Sequence, residues 1–396
     1  MDIIFSTLLL LYHLITGTGE DNVAAKQLSA SLFNAAAGKT IIQVEPAATT
    51  TTTPEAVDNG LKTDPQPDAP AVKGVYVTAH SAGGSRLNTL LHLMDDTELN
   101  SMVIDIKDDN GYITYPTQTP ELLTLGTTQK YIANIQSLMA KLKDHNVYPI
   151  ARIVVFKDTV LAKKHPEYSY RHSDGSLWAN GNGDSFVNPY MPEVWDYNVA
   201  IAKEAVKLGF KEIQFDYVRF PEGFEKKADS LTFAKTDQSR VDAVAGFVKY
   251  AREQLEPLGV RVSVDIFGYA ASVPAAEGIG QDFAKISSDV HVISPMIYPS
   301  HYSTGWFDQQ DPDKNPYATI AGAMKDTHKK LDPIGDEKPI IRPWIQDFTA
   351  SWLGKGHYIK YGATEVQAQI KALHDAGVDE YLLWNASNRY SEGVKY

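Results

Sequence analysis

The chain has 396 residues, 43% of them hydrophobic and 22% charged, and its 37 Lys and Arg face 49 Asp and Glu for a formal net charge of −12. That length and composition support a large buried core and exclude wholesale disorder, while the acidic balance argues against nucleic acid and anionic lipid headgroups as partners. With no cysteine, disulfide scaffolds, thiolate nucleophiles and Cys-ligated metal centres are ruled out.

In chain order, the first element is the apolar run Ile3–Ile15, IIFSTLLLLYHLI. It is shorter than the roughly 20 residues of a membrane span but has the length of a signal-peptide core. Residues 1–18 are therefore expected to be a signal peptide or membrane anchor, the only route to membrane attachment, and the protein to be extracellular or at the cell surface. Asp2, where such signals usually carry Lys or Arg, departs from that pattern. Residues 19–72 are assigned to a linker, because the stretch TTTTTPEAVDNGLKTDPQPDAPAV has no hydrophobic period with which to repay its ordering entropy.

From Lys73 onward, short β-branched or aromatic runs alternate with helical stretches, the pattern of a parallel sheet wound with helices. Strands are predicted at 73–78, 101–107, 147–156, 211–220, 260–269, 290–299, 339–348 and 380–387. Helices are predicted at Arg86–Asp95, Thr127–His145, Pro192–Leu208, Asp237–Leu255, Gly280–Ile286, Pro316–Lys330 and Ala363–Ala376. Three of the connections carry the expected terminating glycine, at Gly209, Gly259 and Gly377. Eight strand–helix units across 73–396 predict an α/β fold, a (β/α)8 TIM barrel in one domain. A doubly wound sheet fits less well, since AHSAGGSR after the first strand lacks the G-x-G-x-x-G spacing.

Alternate residues of a barrel strand point inward, and those near its carboxyl end line the mouth where ligands bind. This phase places Tyr76 on the first strand, Asp105 and Lys107 on the second, Arg152 on the third, Asp216 on the fourth and Asp265 on the fifth. Tyr298, Arg342 with Gln346, and Asn385 follow on the sixth, seventh and eighth, and Asp347 competes with Gln346 for the mouth. A carboxylate inside a strand costs several kcal/mol of desolvation unless paired or used. Asp105 with Lys107 reads most economically as an ion pair, and Arg152 as a partner for one of the aspartates. Asp216 and Asp265, on adjacent strands, could flank one bond; such neighbours divide into one raised and one ionised carboxyl, the division that glycosidic cleavage needs. Arg219 is expected to hold Asp216 ionised or to grip a sugar hydroxyl. The aromatic loops 174–190 and 298–317 offer Trp178, Tyr190, His301, Tyr302 and Trp306 for stacking on sugars, consistent with 21 Tyr and 6 Trp in the chain.

Other chemistries find less support. Among the 11 histidines there is no H-x-H, H-E-x-x-H or H-x-x-x-H pattern, so no metal and no cofactor are expected. Neither a G-x-S-x-G elbow nor a phosphate-binding G-x-x-x-x-G-K-[ST] loop is present. The residues leave three readings open: a glycoside hydrolase, a catalytically silent carbohydrate-binding barrel, and a sugar lyase or aldolase using Lys107 for a Schiff base.

The strings TELNSMVIDIKDDNGYITY, YPIARIVVFKD, FVNPYMPEVWDYNVAIAKEA, LGFKEIQFDYVRFPEG, SVDIFG, ISPMIYPSHY, IRPWIQDF and YLLWNASNRY closely resemble a bacterial family of glycosyl hydrolase-like domains, over essentially Lys73–Tyr396. The resemblance implies a glycosidase-like barrel related to the α-galactosidase and α-amylase groups, often exported and acting on an oligo- or polysaccharide of the cell surface or wall. In those groups the nucleophile is an aspartate at the end of strand four, which corresponds to Asp216. The strand-six acid of α-galactosidase-like barrels has no counterpart in ISPMIYP, where Tyr298 is the nearest polar group.

Overall fold

The computed structural model describes residues 64–396; the predicted export segment and the linker up to residue 63 lie outside the described residues. Among the described residues there are nine strand segments: β1 (Lys73–Val77), β2 (Ser101–Lys107), β3 (Tyr148–Val154), β4 (Glu212–Asp216), β5 (Arg261–Phe267), β6 (Val292–Met296), β7 (Ile340–Ile341), β8 (Trp344–Gln346) and β9 (Tyr381–Trp384). Each pairs in parallel with its neighbours, and β9 returns to β1, so the sheet closes on itself. β7 and β8 are two pieces of the predicted seventh strand, both paired with β6. The break falls at Arg342–Pro343, because a proline has no N–H to give to the ladder. With those pieces counted as one stave, the architecture is the expected (β/α)8 barrel.

The two faces of every strand are distinct. Val75, Val77, Ile104, Ala151, Phe215, Val264, Ile293 and Leu383 pack outward against the helices. Tyr76, Val103, Ile150, Tyr298, Trp344 and Leu382 form a separate cluster inside the barrel. Strands buried on both faces are what a closed parallel sheet demands, and this is why the runs read so clearly. Most predicted helices appear within a few residues, including Pro192–Leu208 as expected, with Gly209 at its end in the left-handed conformation, φ 104°. The exception is Thr127–His145. There the chain forms Pro120–Leu125 and then Ile135–Asp144, the latter started by Asn134, whose side chain accepts from the Ser137 N–H. The side chains of Ser239 and Asp282 likewise delay two other starts, to Arg240 and Phe283, since a cap side chain fixes where the first free N–H groups are satisfied.

The amino-terminal rim of the barrel is closed by chain and charge together. Residues 64–72, assigned from sequence to the linker, instead run along this rim. Asp64 pairs with Arg261 at the start of β5, Gln66 donates to the Gly259 carbonyl at 2.5 Å, and Val72 is fully buried within the interior cluster. Arg342, expected at the mouth, belongs to this end too. Its Nη1 reaches both Glu212 carboxylate oxygens at 2.7 and 2.8 Å and its Nε reaches Glu380 at 2.6 Å. Both acids stand where β4 and β9 begin, so the pull is toward the floor. Arg342→Met should therefore cost about 3–5 kcal/mol of stability, the penalty of stranding buried charge. Urea denaturation measures this directly.

Candidate active site

The mouth is organised around Arg152, which is almost fully buried on β3. Its Nη1 donates to Asp105 Oδ1 at 2.6 Å, its Nη2 to Asp109 Oδ1 at 2.8 Å, and both Nε (3.0 Å) and Nη2 (2.6 Å) to Asp216 Oδ2. A planar guanidinium can serve three carboxylates at once because its donors form a fixed fork. Tyr76 completes the group, its hydroxyl donating to Asp105 Oδ2 at 2.6 Å. Burial lifts the Asp105 carboxyl to about 6 despite Arg152 beside it. Asp109 is also driven upward by burial, but Arg152 and Lys157 outweigh this and hold it below the usual carboxylate range.

Asp216 ends β4, and its second oxygen is fixed by the chain itself. The next residue, Tyr217, sits at φ 51°, a left-handed conformation that costs a bulky residue energy. In that conformation its N–H donates back to Asp216 Oδ1 at 2.6 Å. Lys157 and Arg219 each lie over the Tyr217 ring, 4.9 Å from its centroid.

Asp265 occupies the matching level of β5. The registers Gln214 with Ser263 and Phe215 with Val264 bring the two aspartates side by side on strands that run about 4.8 Å apart. Its environment is the opposite of that of Asp216. Asp265 is 2% exposed, and the one hydrogen bond it receives comes from the Trp344 indole Nε1 at 2.7 Å. Burial, reinforced by the Asp216 charge, pushes its carboxyl well above the ordinary range, against weaker pulls from the indole and Arg152. Below the pair, Gln214 donates to Ser294 Oγ at 3.2 Å while its own Oε1 is buried without a partner.

An aromatic wall faces these carboxyls. Tyr76 and Trp384 stack at 4.0 Å with planes 16° apart, Trp344 meets Trp384 edge-on at 5.5 Å, and Tyr298 tilts against Trp384 at 6.4 Å. The phase of β9 departs from expectation here: Leu382 and Trp384 face inward, whereas Asn385 lies beyond the strand and builds a turn, donating to the Asp347 and Arg389 carbonyls. Trp384, Asp109 and Trp344, the last in phase with Gln346, are mouth residues that sequence reasoning missed. Alternation from Tyr381 and Leu383, which pack on the helices, would have found the first. The second follows β2 in the DDNG turn, where strand phase no longer applies.

Several expected site residues serve the scaffold instead. A register shift between Asp105 and Lys107 breaks their common phase, as β-bulges do, and turns Lys107 into the helix layer. There it pairs with Asp158 at 2.6 Å and donates to Asn198 Oδ1 at 2.9 Å, with both charged side chains wholly buried. The predicted Asp105–Lys107 pair is thus replaced by two separate ones, and Lys107 is walled off from the mouth. Arg219 pairs with Glu222 at 3.1 Å and lies over Phe267; it does not hold Asp216, which is the work of Arg152. Asp347 accepts from Ser391 N–H and Oγ, anchoring the C-terminal tail. Gln346 accepts from Ser300 N–H and donates to Asp313, tying together two loops. Trp178 is buried edge-on to Tyr170, Tyr190 lies against Phe220, and Tyr302 packs with Trp306 and Phe307. These rings hold their loops down. His301 alone of the loop aromatics proposed for stacking touches the mouth wall, edge-on to Tyr298 at 5.0 Å.

An open depression of about 890 Å³ lined by Lys73, Lys371, Tyr381 and Tyr396 contains none of these mouth residues. The paired aspartates, rather than that hollow, are the candidate site.

Comparison with known proteins agrees with this architecture. The PgaB (BpsB) glycoside hydrolase domain from Bordetella bronchiseptica is similar in structure, with a TM-score of 0.56 and 14% identity, covering 80% of this chain and 94% of that one. The β-galactosidase from the psychrophilic Marinomonas ef1 gives a TM-score of 0.55 and 13% identity over 79% of this chain and 53% of that one. At such identities the likeness is one of fold. A hypothetical protein from Ruminiclostridium thermocellum is 36% identical over 48% of this chain and 96% of that one, with a TM-score of 0.44. No curated protein matches. Residues 74–390 match the family described as "Putative glycosyl hydrolase domain", and the chain belongs to that family of glycosidase-like barrels.

Proposed function

We propose that the protein hydrolyses O-glycosidic bonds of an oligo- or polysaccharide, with Asp265 as general acid/base and Asp216 as the nucleophile or as the charge that stabilises an oxocarbenium-like transition state. One observation carries this: two carboxyls at one level of adjacent strands, one gripped by a guanidinium and the other buried under an indole. The buried carboxyl keeps its proton and can deliver it to the glycosidic oxygen as the C–O bond breaks. The ion-paired one faces the charge developing at the anomeric carbon. Water then adds, giving its proton to the Asp265 carboxylate and restoring the acid. With export through residues 1–18, the substrate is a glycan of the cell surface or surroundings.

The test is a panel of cell-wall, capsular and plant polysaccharides assayed for new reducing ends in water enriched in oxygen-18. Hydrolysis places the label in the product. Cleavage without the label would point to a lyase, and retention of a glycan with no cleavage would point to a binding barrel.

A further inference from the structure

We infer that Trp344 is a positioning residue for the acid: its indole N–H occupies Asp265 Oδ1 and so confines the transferable proton to Oδ2. The inference rests on the glycosidase reading for what that proton does, and on the side-chain geometry for where it sits.

An indole nitrogen can only donate. Trp344 Nε1 stands 2.7 Å from Asp265 Oδ1, so that oxygen accepts, and so short a contact leaves no room for the acid's own hydrogen between the two atoms. The proton of the neutral acid therefore belongs to Oδ2, which takes no hydrogen bond among the described residues. One oxygen is held and the other delivers. Trp344 itself is 1% exposed, so it acts through Asp265 rather than on a glycan.

The donor is also fixed in place. Trp344 opens β8, directly after the break at Pro343, and its carbonyl accepts from the Ile297 N–H at 3.1 Å. Tyr76 at 6.5 Å and Trp384 at 5.5 Å close in its ring edge-on. A dipole held in this way needs no reorganisation when charge develops on Asp265, the condition under which a hydrogen bond contributes most to a reaction. The titratable groups facing Asp265 come from other staves: Asp216 and Glu212 on β4, Arg152 on β3 and Tyr298 after β6. Burial first, and then the Asp216 charge, resist its ionisation, with Glu212 adding a smaller push; the indole and Arg152 favour it. Of those two, Trp344 is the one bonded to Asp265. It keeps a buried acid strong enough to part with its proton.

The experiment uses the full chain and follows the titration of Asp265 with and without the indole. Infrared difference spectra of wild type against Asp265→Asn, and of Trp344→Phe with and without Asp265→Asn, isolate this one protonated carboxyl from pH 4 to 10. Its midpoint is expected to rise by about one to two pH units in Trp344→Phe, the effect of losing a hydrogen bond to a charged group. A space left by the indole would admit water and lower the midpoint, so the sign separates a lost donor from lost packing. A midpoint that stays or falls overturns the inference. In active protein the basic limb of kcat/KM should move by the same amount, with kcat about three- to tenfold lower and KM retained. Should Trp344→Phe not fold, the wild type decides: at least one of its six tryptophan indole N–H signals should move downfield as Asp265 ionises, and none should in Asp265→Asn. Indole signals indifferent to that titration overturn the inference. Neither spectroscopic readout needs a substrate. A raised midpoint in a protein that cuts nothing leaves the proton's placement standing while the glycosidase reading fails, and cleavage with an unmoved midpoint does the reverse.

Discussion

Asp265→Asn is expected to lower kcat by about 10²- to 10⁴-fold, the usual worth of a general acid, without loss of fold. The amide keeps the size of the carboxyl and can still accept from the Trp344 indole. The pH dependence adds a second signature. Because burial and Asp216 raise the Asp265 carboxyl well above its ordinary range, the wild type should be active where Asp265 is protonated and lose kcat/KM as pH rises through that elevated value. The variant should lack this limb. Stability moves in a related way: a carboxyl whose pKa is raised on folding makes its full contribution below the unfolded value of about 3.9 and loses it as pH climbs through the folded one. Above that range Asp265→Asn should melt higher than wild type, because it removes the cost of ionising a buried acid. A variant that is inactive and also less stable at high pH would contradict the assignment. Activity followed from pH 4 to 9, alongside thermal melts, separates the cases.

Arg152→Met should be more damaging to the molecule as a whole. It leaves Asp105, Asp109 and Asp216 around an uncharged side chain, and removing one partner from a buried ionic network costs about 3–5 kcal/mol. Activity should fall with it, since Asp216 loses both donors that orient Oδ2. The destabilisation has a direction in pH. Asp109 lies below the ordinary carboxylate range largely through Arg152 and Lys157, after burial has worked the other way. Its stabilising contribution in the wild type is therefore present above the unfolded pKa and lost as pH falls. In the variant the deficit should be greatest near neutrality and shrink toward pH 4, as Asp105 and Asp109, no longer facing a guanidinium, take up protons. Arg152→Lys should recover part of the stability and little of the activity, because an ammonium supplies charge without the forked donors that reach three acids. Denaturation at pH 7 and pH 4.5 tests the direction. Equal losses at both would show that the network is held by packing instead of charge.

The residues at the centre of the site were legible because barrel strands impose a strict alternation. Asp105, Arg152, Asp216 and Asp265 are polar positions in otherwise apolar runs, and the period of two sends them all inward. The same rule failed wherever the strand departed from ideal pairing. Lys107 stands two residues after Asp105, yet a register shift turns it outward to Asp158. Asn385 was placed on β9, which ends at Trp384. Arg342 does face into the barrel, but alternation reports a direction and not a height, and its acids lie at the floor.

By itself, then, the amino-acid sequence determined the eight staves, their order and the inward direction of Asp216 and Asp265, because burial on both faces of a parallel strand writes a local pattern of side chains into the chain. Only the tertiary structure decided that Arg152, rather than Arg219, holds Asp216, that Lys107 pairs with Asp158 and not Asp105, that Trp384 lies in the mouth, and that residues 64–72 close the other end. Ion-pair partners and stacked rings come from elements up to 308 residues apart, as Tyr76 and Trp384 are. Their choice depends on distances in three dimensions and on the competition among buried charges for a few donors, neither of which has a local sequence period.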